Sequence, residues 1–367
     1  MRLSSSPGAD LGTSRAVVIP TLVVAALACG LASPTAAQEG ADRGAIAARI
    51  SGHVRDALDR ALAQRTRDRD RGRDSQEQVE RQTRTLKLGP SGQLDLTNIS
   101  GDVTITAGGR DETTIEIVKR GRGPTDEEAR RQLGLVEAEI IERAGRAEVR
   151  VRYTEGERRY NASVDYNVTT PAGTRVRIRS VSGDVRVTGV KGEVDLETVS
   201  GDVTLDGIGQ LTHAKTVSGD LEISGVDVDG TLDASSVSGD LTARRIKARR
   251  VELGTVSGTV DVSDVTCDSA TARTMSGDVR FAGSLAKSGR YEFTSHSGDV
   301  QLSLGGDVGF EIEASTFSGS INSDLPLTVG GRSGQRRSDR SIRGVYGDGS
   351  ALLNVTTFSG SVIIRKR

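Results

Sequence analysis

Between residues 176 and 302, apolar and polar positions alternate with period two, stop at one short phrase, and resume. The phrase is Val181-Ser182-Gly183-Asp184. It returns as Val199-Ser200-Gly201-Asp202, Val217-Ser218-Gly219-Asp220, Val237-Ser238-Gly239-Asp240, Val256-Ser257-Gly258-Thr259, Met275-Ser276-Gly277-Asp278 and His296-Ser297-Gly298-Asp299. Phe317-Ser318-Gly319-Ser320 and Phe358-Ser359-Gly360-Ser361 close the series with Ser in place of Asp. Six, four and two residues before each Ser stand residues such as Val176, Ile178, Ser180 and Val194, Leu196, Thr198, with Arg177, Arg179, Asp195 and Glu197 between them. That is a strand with one inward and one wet face. Three and five residues past Ser come Val185, Val187; Val203, Leu205; Leu221, Ile223; Val260, Val262; Val279, Phe281; and Val300, Leu302, which make a second inward face.

Each unit is therefore read as strand, Ser-Gly-Asp arc, strand and second turn. The apolar residue just before Ser has the opposite parity to the inward series, so the chain is expected to bend there, with Gly supplying the positive φ of a sharp arc. His296 then falls into a core-like slot. Successive phrase serines are 18, 18, 20, 19, 19, 21 and 21 residues apart, then 41, read as two turns of the array. Register holds when counted back from Ser, so the length variation falls in the second turn, as in Gly189-Val190-Lys191-Gly192 against the longer 225–230. A periodic array of this kind predicts an all-β, single-chain β-solenoid, a β-helix with coils of about 18–21 residues.

Upstream, Leu94, Leu96, Asn98, Ile99, Ser100, Gly101, Asp102, Val103 and Ile105 fit the same template as a first coil. Between it and Ser182 the pattern is irregular. Ile115, Ile117 and the Val149, Val151, Tyr153 series alternate as strands, Ala144-Gly145-Arg146 reads as a hairpin turn, and Thr125 or Asp126 caps a short acidic-headed helix. This region is expected to cap the first end of the array, since an uncovered β edge recruits other chains. Ile46, Ile50, Val54, Leu58 and Leu62 recur every four residues as the stripe of an amphipathic helix over 42–63. Residues 65–84 alternate Arg with Asp and Glu, with Val79 as the main apolar residue, and are read as a solvated linker. Near the far end, Arg332, Arg336, Arg337, Arg340 and Arg343 crowd into a Gly- and Ser-rich basic loop near 331–345, and Arg365-Lys366-Arg367 end the last strand.

Arg2 and Arg15 precede an apolar run over 16–31, and Thr35-Ala36-Ala37 offers small residues for cleavage, which together read as a secretory signal peptide. Ala26-Leu27-Ala28 before Cys29 leaves an imperfect lipoprotein site open, and a retained anchor helix is a further alternative. The organisation expected is thus 1–37 signal peptide; 38–85 amphipathic helix and charged linker; 86–175 first coil plus irregular cap; and 176–367 regular solenoid. After cleavage no stable membrane insertion is expected. The destination is the periplasm, the outer cell surface or the medium.

Composition narrows the function classes. The formal net charge of −1 argues against a nucleic acid or anionic membrane partner. Aromatics are 3% with no Trp, which is poor material for a sugar-stacking platform. Beyond residue 37 Cys267 is the only cysteine, so no internal disulfide forms, and it reads as an idle, semi-buried thiol. The best candidate for chemistry is the column of Asp184, Asp202, Asp220, Asp240, Asp278 and Asp299, which resembles the Ca²⁺ turns of β-rolls. Rolls place Gly and Asp in both turns, however, and Thr259, Ser320 and Ser361 interrupt this column, so a turn role is preferred. The Ser180 to Thr316 series faces inward by parity, which sets aside an ice-binding ladder. His53, His213 and His296 have no ligand-spaced partner. No catalytic, cofactor-binding or metal site is expected.

With these residues in view, the chain resembles the bacterial putative-adhesin family of β-strand repeat proteins, a domain of unknown function related to the head of autotransporter adhesins. The likeness spans 86–367 and rests on the Val-Ser-Gly-Asp-Val phrase, on Val168-Thr169-Thr170-Pro171-Ala172-Gly173, and on Gly347-Asp348-Gly349 ahead of Thr357-Phe358-Ser359-Gly360-Ser361. The resemblance implies right-handed winding and no catalytic residues. The function expected is an exported, non-enzymatic adhesin-like or scaffolding module at the cell envelope, with an envelope protein or polymer as partner and no cofactor. The alternatives are a polysaccharide-processing β-helix enzyme, which needs clustered carboxylates with a basic neighbour in a groove, and a partner of an envelope-stress regulator.

Overall fold

The computed structural model describes residues 75–109, 111–154, 160–306, 308–328 and 340–367. The leader, the stripe from Ile46 to Leu62 and the linker up to residue 74 lie outside the described residues. In the first regular coil Arg175–Ser182 runs into the arc at Gly183 and Asp184, and Val185–Thr188 runs out of it. Val176, Ile178 and Ser180 lie in parallel register with Val194, Leu196 and Thr198, and Ser182 with Ser200. Val185 and Val187 lie against Val203 and Leu205. The same parallel register continues coil by coil through Leu241–Ser257, Val260–Ser276 and Val279–Ser297, so the β-solenoid expected from the repeat is the observed fold.

Two independent constraints select glycine in the arc. The φ angles of Gly183, Gly201, Gly219, Gly239, Gly258, Gly277 and Gly298 run from 120° to 149°, a region that side chains rarely enter. A Cβ on Gly219 would also collide with the carbonyl oxygen of Gly201, and one on Gly201 with that of Gly183. Coils close up at this point: the Gly183 amide donates to the Ser200 carbonyl at 3.1 Å and the Gly201 amide to that of Ser218 at 3.0 Å. The second turn is less exacting. Its left-handed position is Gly189, Gly207 and Gly225 in three coils, but Arg245 (φ 53°) and Asp264 (φ 54°) in the next two.

The core fills with three inward columns. The two read from the sequence are fully buried, and the second turn adds a third, with Val226, Ile246 and Val265 in register and Ala248, Cys267 and Leu285 beside them. Apart from Tyr166 near the first end, the large buried rings lie late in the stack, where Phe281 packs on Phe293 with centroids 4.9 Å apart.

At the first end, β1 (Gln76–Leu86), β2 (Gln93–Ser100), β3 (Val103–Gly109) and β4 (Thr113–Gly123) precede α1 (Asp126–Gly134), β5 (Val136–Arg143), β6 (Arg146–Tyr153) and β7 (Ala162–Pro171). β2 and β3 lie in register with Arg175–Ser182 and Val185–Thr188, as the first-coil template requires. β6 and β7 stack beneath them, β5 and β6 form the hairpin, and α1 starts at Thr125, whose hydroxyl accepts from the Glu128 amide. One expectation fails here. Part of the stretch expected as charged linker is ordered: 76–86 is a strand paired antiparallel to β4 over its whole length. Its charges are answered across the pair by Arg122 on Glu77 (2.7 Å), Lys119 on Glu80 (2.9 Å) and Glu116 on Arg81 (3.4 Å). Backbone pairing on an outer edge needs no apolar face, and charge there discourages further pairing.

The other end corrects a second expectation. The last phrase does not follow two turns beyond Ser318: Ala351–Ser359 inserts between Val279–Ser297 and Phe310–Ser318, pairing Ser359 with both Ser297 and Ser318. Val362–Lys366 likewise sits between Val300–Gly305 and Ile321–Ser323, so the terminal basic residues end an inner strand rather than an edge. The basic loop shrinks too. Ser341–Tyr346 is a strand antiparallel to Phe310–Ser318 and pairs Arg343 with Glu313, while 329–339 lie outside the described residues. Among the described residues no helix is long and apolar enough to cross a membrane.

Arc and second turn predict opposite outcomes for opposite substitutions. Gly219→Ala should lower unfolding free energy by at least about 3 kcal/mol, whereas Arg245→Gly should raise it by about 1 kcal/mol by relieving a left-handed residue; chemical denaturation measures both.

Candidate functional site

Stacking assigns the aspartate column a structural task. The Oδ1 of Asp102 accepts from the Asp184 amide (3.0 Å), Asp184 from Asp202 (3.0 Å), Asp202 from Asp220 (2.8 Å), Asp220 from Asp240 (2.8 Å) and Asp240 from Thr259 (2.7 Å). Asp278 and Asp299 repeat this toward Asp299 and Ser361 (3.0 and 2.8 Å). Each carboxylate thus clasps the arc of the next coil in the stack, and at the first end Asp165 of β7 does the same for the Asp102 amide (3.1 Å). Inside the arc the Ser and Thr column adds a second clasp: Thr274 donates to the Gly258 carbonyl (3.0 Å), Ser295 to Gly277 (2.9 Å) and Thr357 to Gly298 (3.0 Å). Among the described residues no group of three or more His, Cys, Asp or Glu side chains is placed to hold a metal ion.

The residue before Ser is where the structure departs most from expectation. The strand continues through Ser and bends one residue later, at Gly, so period-two parity carries Val181 outward and not into the core. The same holds in every coil. Following strand pairing along the stack gives the row Ile99, Val181, Val199, Val217, Val237, Val256, Met275, His296, Phe358, Phe317. Its nine apolar members are 42–64% exposed, and they are nine of the twelve large apolar residues exposed among the described residues. Scatter does not produce such a line; contiguous apolar surface marks a site of contact. His296, expected in a core-like slot, is exposed and stacked on Phe358 (4.8 Å, 9° between planes), and Phe358 on Phe317 (4.7 Å, 3°). These spacings are those of neighbouring strands, so the rings stack because the strands do.

The row is bordered on one side by the phrase serines, which are exposed, and on the other by a mixed column that includes Arg179, Glu197, Lys215 and Arg273. A groove of 410 Å³ runs along Ile99, Val181, Val199 and Val217 beside Arg179, Glu197 and Lys215. Arg179 and Glu197 pair along the stack (3.5 Å), as do Arg273 and Glu292 (2.8 Å).

Other candidates carry less. His213 faces outward as expected but has a partner that sequence spacing hid: Asp233 of the next coil, with Oδ2 3.0 Å from Nδ1. Cys267 is buried rather than semi-buried, and burial pushes its thiol up to about 12, so it stays protonated and inert at neutral pH. A groove of 540 Å³ near the far end holds Glu252, Glu292, Glu311 and Glu313 with Arg250 and Arg290, the composition a carbohydrate-cleaving site needs. Its acids, however, lie open on an outer face: Glu252, Glu292 and Glu313 are 45–56% exposed, and each has an arginine partner.

The profile of the Toastrack DUF4097 family matches residues 160–250 and 230–365, more than half of the chain. The chain belongs to the Toastrack DUF4097 family. This is the domain of unknown function expected from the repeated phrase, and in this Toastrack chain the profile covers β7 of the cap and the regular coils. Similar solved structures include a putative cell adhesion protein from Clostridium sporogenes, 12% identical, covering 79% of this chain and 100% of that one with a TM-score of 0.26. Another is a putative adhesin from Bacteroides fragilis, 16% identical, covering 78% and 97% with a TM-score of 0.34. Among curated proteins none matches the chain.

If the aspartates clasp arcs rather than ions, Asp220→Ala should cost about 1–3 kcal/mol through the orphaned Asp240 amide. Added Ca²⁺ should leave the melting temperature of the parent unchanged. A rise of many degrees with Ca²⁺ would assign the column to metal instead.

Proposed function

We propose that this Toastrack chain is an exported, non-enzymatic module that acts at the bacterial cell envelope as an adhesin or scaffold, and that the exposed apolar row is the face it binds with. The observation that carries this reading is the row itself. An exposed valine on a strand stabilises little, and a row that keeps apolar residues outward through nine coils while its neighbours vary from Arg to Glu serves contact rather than folding. The leader read over 1–37 supports export. The stacked coils supply a stiff support, because the glycine amide of each arc bonds to the neighbouring coil, aspartates such as Asp202 clasp the next arc, and in the later coils hydroxyls such as that of Thr274 add a further bond. A rigid presenting surface loses little entropy on binding.

Polysaccharide processing remains the second reading, favoured by the acidic groove at Glu252 and Glu292. One experiment separates them. Purified full chain is incubated with a bacterial envelope preparation, and bound protein and released reducing ends are both measured. The double variant Val199→Lys, Val217→Lys should lose at least tenfold in bound protein, Glu222→Lys on the other outer face should lose little, and no reducing ends should appear. Unchanged binding by the double variant would remove the row from the function. Release of reducing ends that disappears in Glu292→Gln would establish the enzyme.

A further inference from the structure

The row has a shape that selects its partner. Its ten rungs follow the strand spacing of about 4.8 Å, and a partner that buries all of them must present groups at that spacing over the same length. A second copy of the chain does so by construction. The rungs are also graded along the stack: Ile99 and Val181 to Val256 are short, while Met275, His296, Phe358 and Phe317 are large and fall together at the far end. Two rows laid in the same direction would set ring against ring and leave gaps between the valines. Laid in opposite directions they set large against small.

We propose that two copies of the chain pair through this row, antiparallel about a two-fold axis that runs along the strand direction through Val237. This rests on the reading that the row is the binding face, and names a second copy as what it binds. The axis places Val217 opposite Val256 of the second copy, Val199 opposite Met275, Val181 opposite His296 and Ile99 opposite Phe358, with Phe317 overhanging. In the bordering column it brings Glu197 opposite Arg273, so the charges nearest the row attract across the pair. The exposed phrase serines border the other side and tolerate either water or each other. Such a contact is isologous and closes at two copies, so it does not propagate into fibres. With about 150–200 Å² of surface per side chain, half exposure at nine positions gives on the order of 700 Å² of apolar area. A standard stable interface contributes about 800 Å² per partner.

The test is sedimentation of the purified full chain at micromolar concentration, combined with single cysteines in a Cys29→Ser background, where Cys267 is buried and silent. The parent should sediment as a dimer, and Val217→Lys with Val256→Lys should raise the dissociation constant by on the order of 100-fold, since two lysines from each copy would be buried without partners. Thermal melting of that variant at concentrations where the parent is dissociated should match the parent, because both positions are outward. Val237→Cys sits on the axis and should form a disulfide-linked dimer on mild oxidation. Val181→Cys should not link to itself, but should link to His296→Cys when the two are mixed. A parent that stays monomeric at tens of micromolar, or a dimer that survives both lysines, overturns the proposal. A dimer in which Val181→Cys links to itself overturns its antiparallel arrangement about Val237. A monomeric parent whose envelope binding is still lost with Val199→Lys and Val217→Lys removes the second copy as partner and leaves the binding face standing.

Discussion

Everything in this fold depends on the close approach of consecutive arcs at one glycine. The amide of Gly201 reaches the Ser218 carbonyl, its own carbonyl oxygen occupies the space where a Gly219 side chain would begin, and the Asp202 carboxylate takes the next arc's Asp220 amide. Three contacts within three residues fix the height and the rotation of each coil on the last. A slip of one residue would exchange core and surface, which the burial of one face already opposes. The arcs prevent the slip, so Val203 and Leu205 stay inside while Val199 stays outside.

This explains why the repeated phrase is strict where the rest of the coil is loose. The second turn accepts Gly189, Arg245 or Asp264 at the same left-handed position, because a Cβ added at Gly189, Gly207 or Gly225 would meet nothing nearer than 3.3 Å. The ends are solved with different parts. At the first end a hairpin, a helix and a charged edge strand close the stack, with Asp165 borrowed from β7 to complete the clasp of the first arc. At the far end the final strand is threaded into the stack and a short antiparallel strand covers the coil that is left outermost.

Alternation and the recurring Gly made the solenoid, its inward columns, the first coil at Leu94, the hairpin at Gly145 and the turn role of the aspartates legible in the sequence. Two places depart from what the sequence leads one to expect. A bend at Val181 and its equivalents puts His296 in a core-like slot, but the strand runs one residue further, through Ser, and parity turns the whole row outward. Residues 76–84 were set aside as linker because they hold so little apolar surface, yet an outer strand can be held by backbone pairing and cross-strand ion pairs alone. The insertion of Ala351–Ser359 ahead of Phe310–Ser318 had no local signal, since identical phrases do not say in which order they stack. The Asp233 partner of His213 was hidden for a similar reason: the two meet only across coils.

Parity separates the two faces: an apolar residue one position before the phrase serine faces water, while one three positions after that serine faces the core. Val199 and Val203 stand four residues apart on either side of one arc, so they compare directly. Denaturation of Val199→Thr and Val203→Thr at nanomolar concentration should show a change within about 0.5 kcal/mol for the first and a loss of about 2 kcal/mol for the second. Equal losses at the two positions would mean that Val199 is also a core residue, and would contradict the outward row on which the functional reading stands.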